Sequence, residues 1–234
     1  MDYREYINDL KKDFCIVRTL SDNNGATVLL LKHNALGRKL VLRRYSSPVL
    51  AYDYLKNYIF ENLPEVYDSF YLDDCQVVLE EYIDGITVAD VLENGLYTYS
   101  GAKKVLFGIC CALAPLHTVG IVHRDIKPEN VIVSKEGCIK LIDFNASRKY
   151  SAEAKKDTVP IGTIGYAPPE QLGLAQSSVQ TDVYALGVLL NVMLTGKHPS
   201  NCLAGGKAGK IVLKCTQIDP QSRYPSVEKL MAEL

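Results

Sequence analysis

No stretch of the sequence is long and apolar enough to cross a bilayer. The longest uncharged runs, at 105–118 and 183–196, fall short of the about 20 residues a membrane helix needs, and they read as buried core helices. The opening "MDYREYINDLKKDF" is charged and lacks the apolar segment of a signal peptide, so no leader is expected. Charge of one sign is lacking too. The 26 basic and 27 acidic residues leave a net −1, which gives no electrostatic footprint for nucleic acid or an anionic membrane surface. The seven cysteines are odd in number and form no C-x-x-C pair, which argues against a disulfide framework or a zinc site and for a reducing cytoplasm. Cys110 and Cys111 adjoin inside a predicted helix, as small buried hydrophobes. There is no internal repeat and no low-complexity segment, and 47% hydrophobic with 23% charged residues is a globular balance that excludes disorder. At 234 residues the chain is long enough for one large domain or two lobes sharing a cleft.

The first third reads as β-rich. "ATVLLLKH", "KLVLRRY" and "CQVVLEEY" are short apolar runs separated by turn residues such as "SDNNG" and "NALG". Between them, residues 51–62 carry apolar residues at helical spacing and predict one helix. After "YIDG" the texture changes. "GAKKVLFGICCALAPLH" places Val105, Leu106, Ile109, Leu113 and Leu116 on one helical face, and "NVIV" and "CIKLIDF" flank "SKEG" as a hairpin. From about Thr181 the chain is mostly helical.

Two motifs carry chemistry. "HRDIKPEN" occupies 123–130, and "DFN" follows at 143–145 beyond the hairpin. Asp125 follows a His-Arg pair in a turn after a helix, the kind of loop that bears function on a rigid scaffold. Lys127 can hold a phosphate oxygen as a point charge. Asn130 offers a carbonyl and Asp143 a carboxylate to one hard cation, and magnesium prefers a few such oxygens plus substrate phosphates to a full protein cage. A base, a lysine and two metal ligands are the parts of in-line phosphoryl transfer.

The set resembles the signature of a serine/threonine protein kinase. "HRDIKPEN" is similar to the catalytic loop and "DFN" to the metal-binding motif. "GTIGYAPPEQ", at 162–171, resembles the end of the activation segment, and "DVYALGVLLNVMLTGKHP" the long buried helix of the C-lobe. Texture such as "GYAPPEQ" looks most like small cytoplasmic kinases of Gram-positive bacteria. The resemblance implies an α+β, bilobal fold. A β-rich N-lobe at about 1–81, a hinge at 82–85 and a helical C-lobe at 86–234 would enclose a nucleotide cleft. It implies ATP and a protein as substrates, Mg2+ (with Mn2+ as an alternative ion), and no nucleic-acid or membrane partner. Asp125 would take the proton of the attacking hydroxyl, Lys127 would neutralise the γ-phosphate, and Thr163 would hydrogen-bond both and favour hydroxyl substrates. Asn130 and Asp143 would hold metal. Gly25, Val28, Val41, Arg43, Glu80, Glu81, Ile83 and Ile132 would line the nucleotide. His123, Arg124 and Phe144 would be structural, Asp182 would brace the catalytic loop, and Arg223 would pair with Glu170. Ser147, Ser151 and Thr158 are candidate phosphosites, with Arg124 as the partner for an added phosphate.

The N-terminal part departs from that pattern. In place of G-x-G-x-x-G stands "LSDNNGATVLL", with Gly25 alone, although Asn23 and Asn24 tolerate positive φ. Arg43 stands where a lysine is expected, and Val41 where an alanine would meet adenine. The glutamate that should pair with that lysine is missing from 48–51, "PVLA". Glu80 is a candidate substitute partner for Arg43, against the alternative that it faces Arg44 or solvent. Asn145 replaces the usual glycine after Phe144, which the left-handed turn tolerates. The segment after His198, "PSNCLAGGKAG", is short and Gly-rich where kinases have a helix. These departures define the alternative, a pseudokinase that binds nucleotide or acts as a scaffold.

Overall fold

A computed structural model describes residues 2–23, 25–72, 75–150, 165–172 and 176–234. The chain divides into two units, 1–83 and 84–234.

The first unit is built on five antiparallel strands. In chain order it contains α1 (Tyr3–Leu10), β1 (Phe14–Asn23), β2 (Ala26–His33), β3 (Lys39–Tyr45), α2 (Leu50–Leu55), β4 (Val66–Leu72) and β5 (Cys75–Glu81), with sheet order β1-β2-β3-β5-β4. Alternation gives the sheet two faces. One presents Leu29, Leu31, Leu42, Cys75 and Val77, against which Tyr3, Tyr6, Ile7 and Leu10 of α1 pack. That helix starts on a capping box in which Asp2 and Glu5 satisfy each other's backbone N–H groups. The other face carries Val28, Val41, Arg43 and Glu80, and on this side the Tyr45 and Tyr52 hydroxyls meet at 3.1 Å.

Two expectations for this unit need correction. "SDNNG" is not a separating loop over its whole length: Ser21 pairs with Val28 and Asn23 with Ala26, so β1 continues as far as Asn23. Gly25, which leads into β2, has φ +91, a conformation that favours glycine. The expected helix at 51–62 ends at Leu55. Beyond it Tyr58 and Ile59 are exposed, and the Tyr54, Tyr58 and Phe60 rings cluster together, Tyr54 stacked on Phe60 and Tyr58 tilted against both. Helical stability comes largely from packing an apolar face, and here the apolar residues pack among themselves.

The second unit continues with β6 (Gly85–Thr87), α3 (Val88–Asn94), α4 (Tyr99–Thr118), β7 (Ile121–Val122), β8 (Val131–Ser134), β9 (Ile139–Leu141), β10 (Arg148–Lys149), α5 (Val179–Thr195), α6 (Gly206–Cys215) and α7 (Val227–Met231). The predicted face of α4, from Val105 to Leu116, is buried throughout, and Cys110 is buried with it while Cys111 is half-buried. The segment between α5 and α6 is organised by buried Asn191. Its amide donates to the Lys197 and Cys202 carbonyls, and its Oδ1 accepts from the Ala204 N–H. No helix among the described residues is long and apolar enough to cross a membrane.

Close approaches between elements depend on two glycines. A Cβ at Gly187 of α5 would stand 2.3 Å from Cys215 Cβ of α6, and one at Gly108 of α4 would stand 2.5 Å from Ile139 Cβ. Gly187→Ala and Gly108→Ala are each expected to destabilise the protein by about 1–3 kcal/mol through overpacking. Thermal melts check this, and an unchanged midpoint in both would mean that the elements part at no expense.

Candidate active site

The turn at 123–130 is shaped from behind by a buried carboxylate. Asp182, in the first turn of α5, is fully buried. It accepts the backbone N–H of His123 at 2.9 Å and that of Arg124 at 2.9 Å, and His117 Nε2 of α4 at 2.8 Å. Burial alone would raise the Asp182 pKa. The hydrogen bond and charge of His117, with the contacts from His123 and the Arg124 amide, outweigh it and hold the carboxyl below its ordinary value. Arg124 sits at φ +71, a left-handed conformation unusual for a side chain of its size. Its carbonyl accepts from the buried Gln171 amide at 2.7 Å.

His123 joins the two motifs. Asp125 N–H donates to its Nδ1 at 3.3 Å, and its Nε2 donates to the Ile142 carbonyl at 3.3 Å. These contacts require a proton on Nε2 and a lone pair on Nδ1, the neutral imidazole. Desolvation, opposed by the nearby carboxylates, lowers the His123 pKa, which favours the same form. The ring meets buried Phe144 edge-on at 5.1 Å. His123 and Phe144 are therefore packing residues.

With the turn fixed, its side chains converge. Lys127 Nζ lies 2.8 Å from Asp125 Oδ2. Asn130 Nδ2 donates to the Asp125 carbonyl at 2.8 Å and to Asp125 Oδ2 at 2.9 Å. The β8–β9 hairpin, in register from Val131↔Leu141, brings the flanking residues Asn130 and Asp143 to its open end, and Ile142 N–H donates to the Asn130 carbonyl at 2.9 Å. Asp143 has φ +67, and its Oδ1 accepts the Asn145 N–H at 3.3 Å. Both amide donor contacts of Asn130 go to Asp125, so Oδ1 is the oxygen it offers a cation. One amide and one carboxylate oxygen are a hard donor set that fits magnesium completed by phosphates. Among the described residues no three His, Cys, Asp or Glu could form a fuller cage.

A second buried pair locks the neighbouring segment. Arg223 NH1 and NH2 donate to Glu170 at 2.6 and 3.0 Å. The remaining donors reach the carbonyls of Gln180, Gln217 and Ile218, which satisfies all five guanidinium N–H groups. Only an arginine fork does this, so replacing Arg223 would strand Glu170 at an expense of about 3–5 kcal/mol.

In the first unit Arg43 Nε donates to Glu80 Oε1 at 2.7 Å. Both residues are buried, which rules out the reading of Glu80 as solvent-facing. Val28, Val41 and Ile83 are buried, Glu81 is half-buried and accepts the Glu65 N–H, and Ile132 is half-buried on β8. Ser147 Oγ is buried near the second motif. Ser151, Thr158 and Thr163 lie outside the described residues.

Residues 50–233 match the family profile described as protein kinase domain. The chain belongs to the protein kinase family. The match begins at α2, so Arg43 lies ahead of it and the catalytic motifs inside it. A probable serine/threonine-protein kinase of Clostridium perfringens is 27% identical over 237 residues, 91% of this chain and 34% of that protein. The serine/threonine-protein kinase PrkC of Bacillus subtilis is 26% identical, covering 94% of this chain and 39% of its own. An Aurora kinase of Candida glabrata is 30% identical, with 98% and 67% covered. The kinase domain thus spans about a third of the length of the bacterial relatives.

Reading the sequence missed two residues of this kinase domain that hold the loop. His117 carries a signal, since it ends the α4 pattern six residues before His123. Gln171 stands inside the quoted "APPEQ", but nothing in that string reveals that its amide reaches Arg124.

The buried groups set an acid limit. The unfolded chain protonates its histidines near 6.5, whereas native His123 resists, so stability is full above that pH and declines below it. Asp182, held below its ordinary 3.8, adds a second loss as pH falls through about 4 and below. Urea denaturation from about pH 8 to 3 checks both steps, with His123→Asn expected to remove the first and leave the second.

Proposed function

We propose that this chain is a serine/threonine kinase domain that transfers the γ-phosphoryl group of Mg-ATP to Ser or Thr hydroxyls of proteins. The observation that carries the reading is the convergence of Lys127 and Asn130 on the Asp125 carboxylate, on a turn braced by Asp182. That contact set orients Asp125 to accept the proton of the attacking hydroxyl. Lys127 offsets charge on the transferring phosphoryl, and Asn130 and Asp143 would hold the metal. When bound, Mg2+ supplies neutralisation of the phosphate oxygens. The chain's own contribution is position and fixed charge, which is most of what this reaction asks of a protein. Arg43 on β3 would contact nucleotide phosphate, with Val28 and Val41 on the same sheet face beside the base. Gly25, Glu81, Ile83 and Ile132 complete the proposed nucleotide set, and Thr163 the hydroxyl preference. A reducing cytoplasm suits its seven free thiols.

The test is γ-phosphate transfer from Mg-ATP to the protein itself and to a mixed Ser/Thr peptide pool, with wild type beside Asp125→Asn. Wild type is expected to transfer phosphate. The variant should lose about 10²–10⁴-fold, the usual worth of a positioned base, while Mg-ATP still raises its melting temperature. Equal transfer by both proteins would remove Asp125 from the mechanism.

A further inference from the structure

Burying two opposite charges is tolerated when each finds the other. The side chains of Arg43 and Glu80 are 7% and 3% exposed. They stand on neighbouring strands: Arg43 lies opposite Val78 and Glu80 opposite Val41, which makes them diagonal neighbours on one sheet face. The register of β3 against β5 therefore brings them together.

The carboxylate that Arg43 Nε meets comes from β5 and not from α2. The buried residues of that helix are Ala51, Tyr52 and Leu55. Its single acidic residue, Asp53, accepts the Tyr71 hydroxyl at 3.0 Å and the Gln76 amide at 3.5 Å. In protein kinases generally the strand cation pairs with a glutamate supplied by the helix that follows. Here that helix is six residues long and its acid is engaged with β4 and β5.

We propose that Glu80 is a positioning residue for Arg43. Its carboxylate fixes the plane of the guanidinium so that the fork can meet nucleotide phosphate, and the anchoring ion pair is contained within one sheet. The inference rests on the kinase reading above. Its consequence is regulatory: the acid that sets the orientation of Arg43 is brought to it when β3 pairs with β5. Control that works elsewhere in the family by withdrawing a helical glutamate has no purchase on this pair.

The experiment measures affinity and turnover separately, with fluorescent Mg-ATP titration for binding and peptide phosphorylation for KM and kcat. Glu80→Gln is expected to weaken Mg-ATP binding and raise its KM at least about tenfold, with kcat at saturation falling less than about threefold. The double variant Arg43→Met/Glu80→Leu removes both charges. Neither charge of the pair is then buried without the other, and the variant should bind nucleotide as weakly as Glu80→Gln or worse. Asp53→Asn should leave KM within about twofold. A double variant with wild-type stability and wild-type affinity would overturn the inference, as would an Asp53→Asn effect as large as that of Glu80→Gln. Wild type that binds and transfers, with Glu80→Gln affinity unchanged, would overturn it alone. Wild type that binds no nucleotide would overturn it together with the kinase reading.

Discussion

Asp182 holds the backbone N–H groups of His123 and Arg124 from beneath the turn that carries Asp125, Lys127 and Asn130, and the placement of those side chains follows from that grip. A backbone anchor specifies position where a side-chain anchor would specify only one group. With His123 and Arg124 fixed, Arg124 can occupy the left-handed region, and the chain leaves it in the direction that carries Asp125 toward Lys127 and Asn130. A buried carboxylate would ordinarily prefer to be protonated. Three donors reverse that preference, so the anchor keeps its charge where a neutral acid would bond the amides more weakly. Arg223 and Glu170 repeat the logic, with one buried charge made tolerable by a full set of partners.

Much of this was legible in the sequence, and the reasons differ by region. β2, β3 and the apolar run of β5 are short β-branched or leucine-rich stretches bounded by turn residues, and they form where they were expected. The two motifs stood out because phosphoryl transfer needs particular side chains at particular spacings, and the turn brings Lys127 and Asn130 to Asp125. What stayed hidden depends on contacts that no local pattern encodes. The helix at α2 stops early because its later aromatics find one another. The strand β1 extends as far as Asn23 because β2 supplies a pairing edge, which outweighs the turn preference of Asp and Asn. His117 and Gln171 act through partners 65 and 47 residues away.

The Arg43–Glu80 pair shows how a departure from a motif can be read. Taken singly, an arginine for a lysine, a missing helical glutamate and an acid at the end of β5 each count as a defect. Taken together they are complementary, since the arginine and the acid meet across the sheet. The comparison that matters is between residues of the same chain, and it becomes possible only once strand register is known.

The two-faced sheet adds a constraint of another kind. Both faces carry buried side chains, with Leu42 toward α1 and Arg43 on the face that also carries Tyr45 and Glu80. Side chains alternate with period two, so a slip of β3 by a single residue would exchange the two faces. It would drive a guanidinium into the leucine cluster and leave Glu80 facing an alkyl chain. The reading frame of this strand thus decides whether the Arg43–Glu80 pair exists. Insertions are expected to be absorbed in the turn at 34–38, outside any strand, whereas a one-residue deletion within Lys39–Tyr45 would erase cation, partner and core in one step.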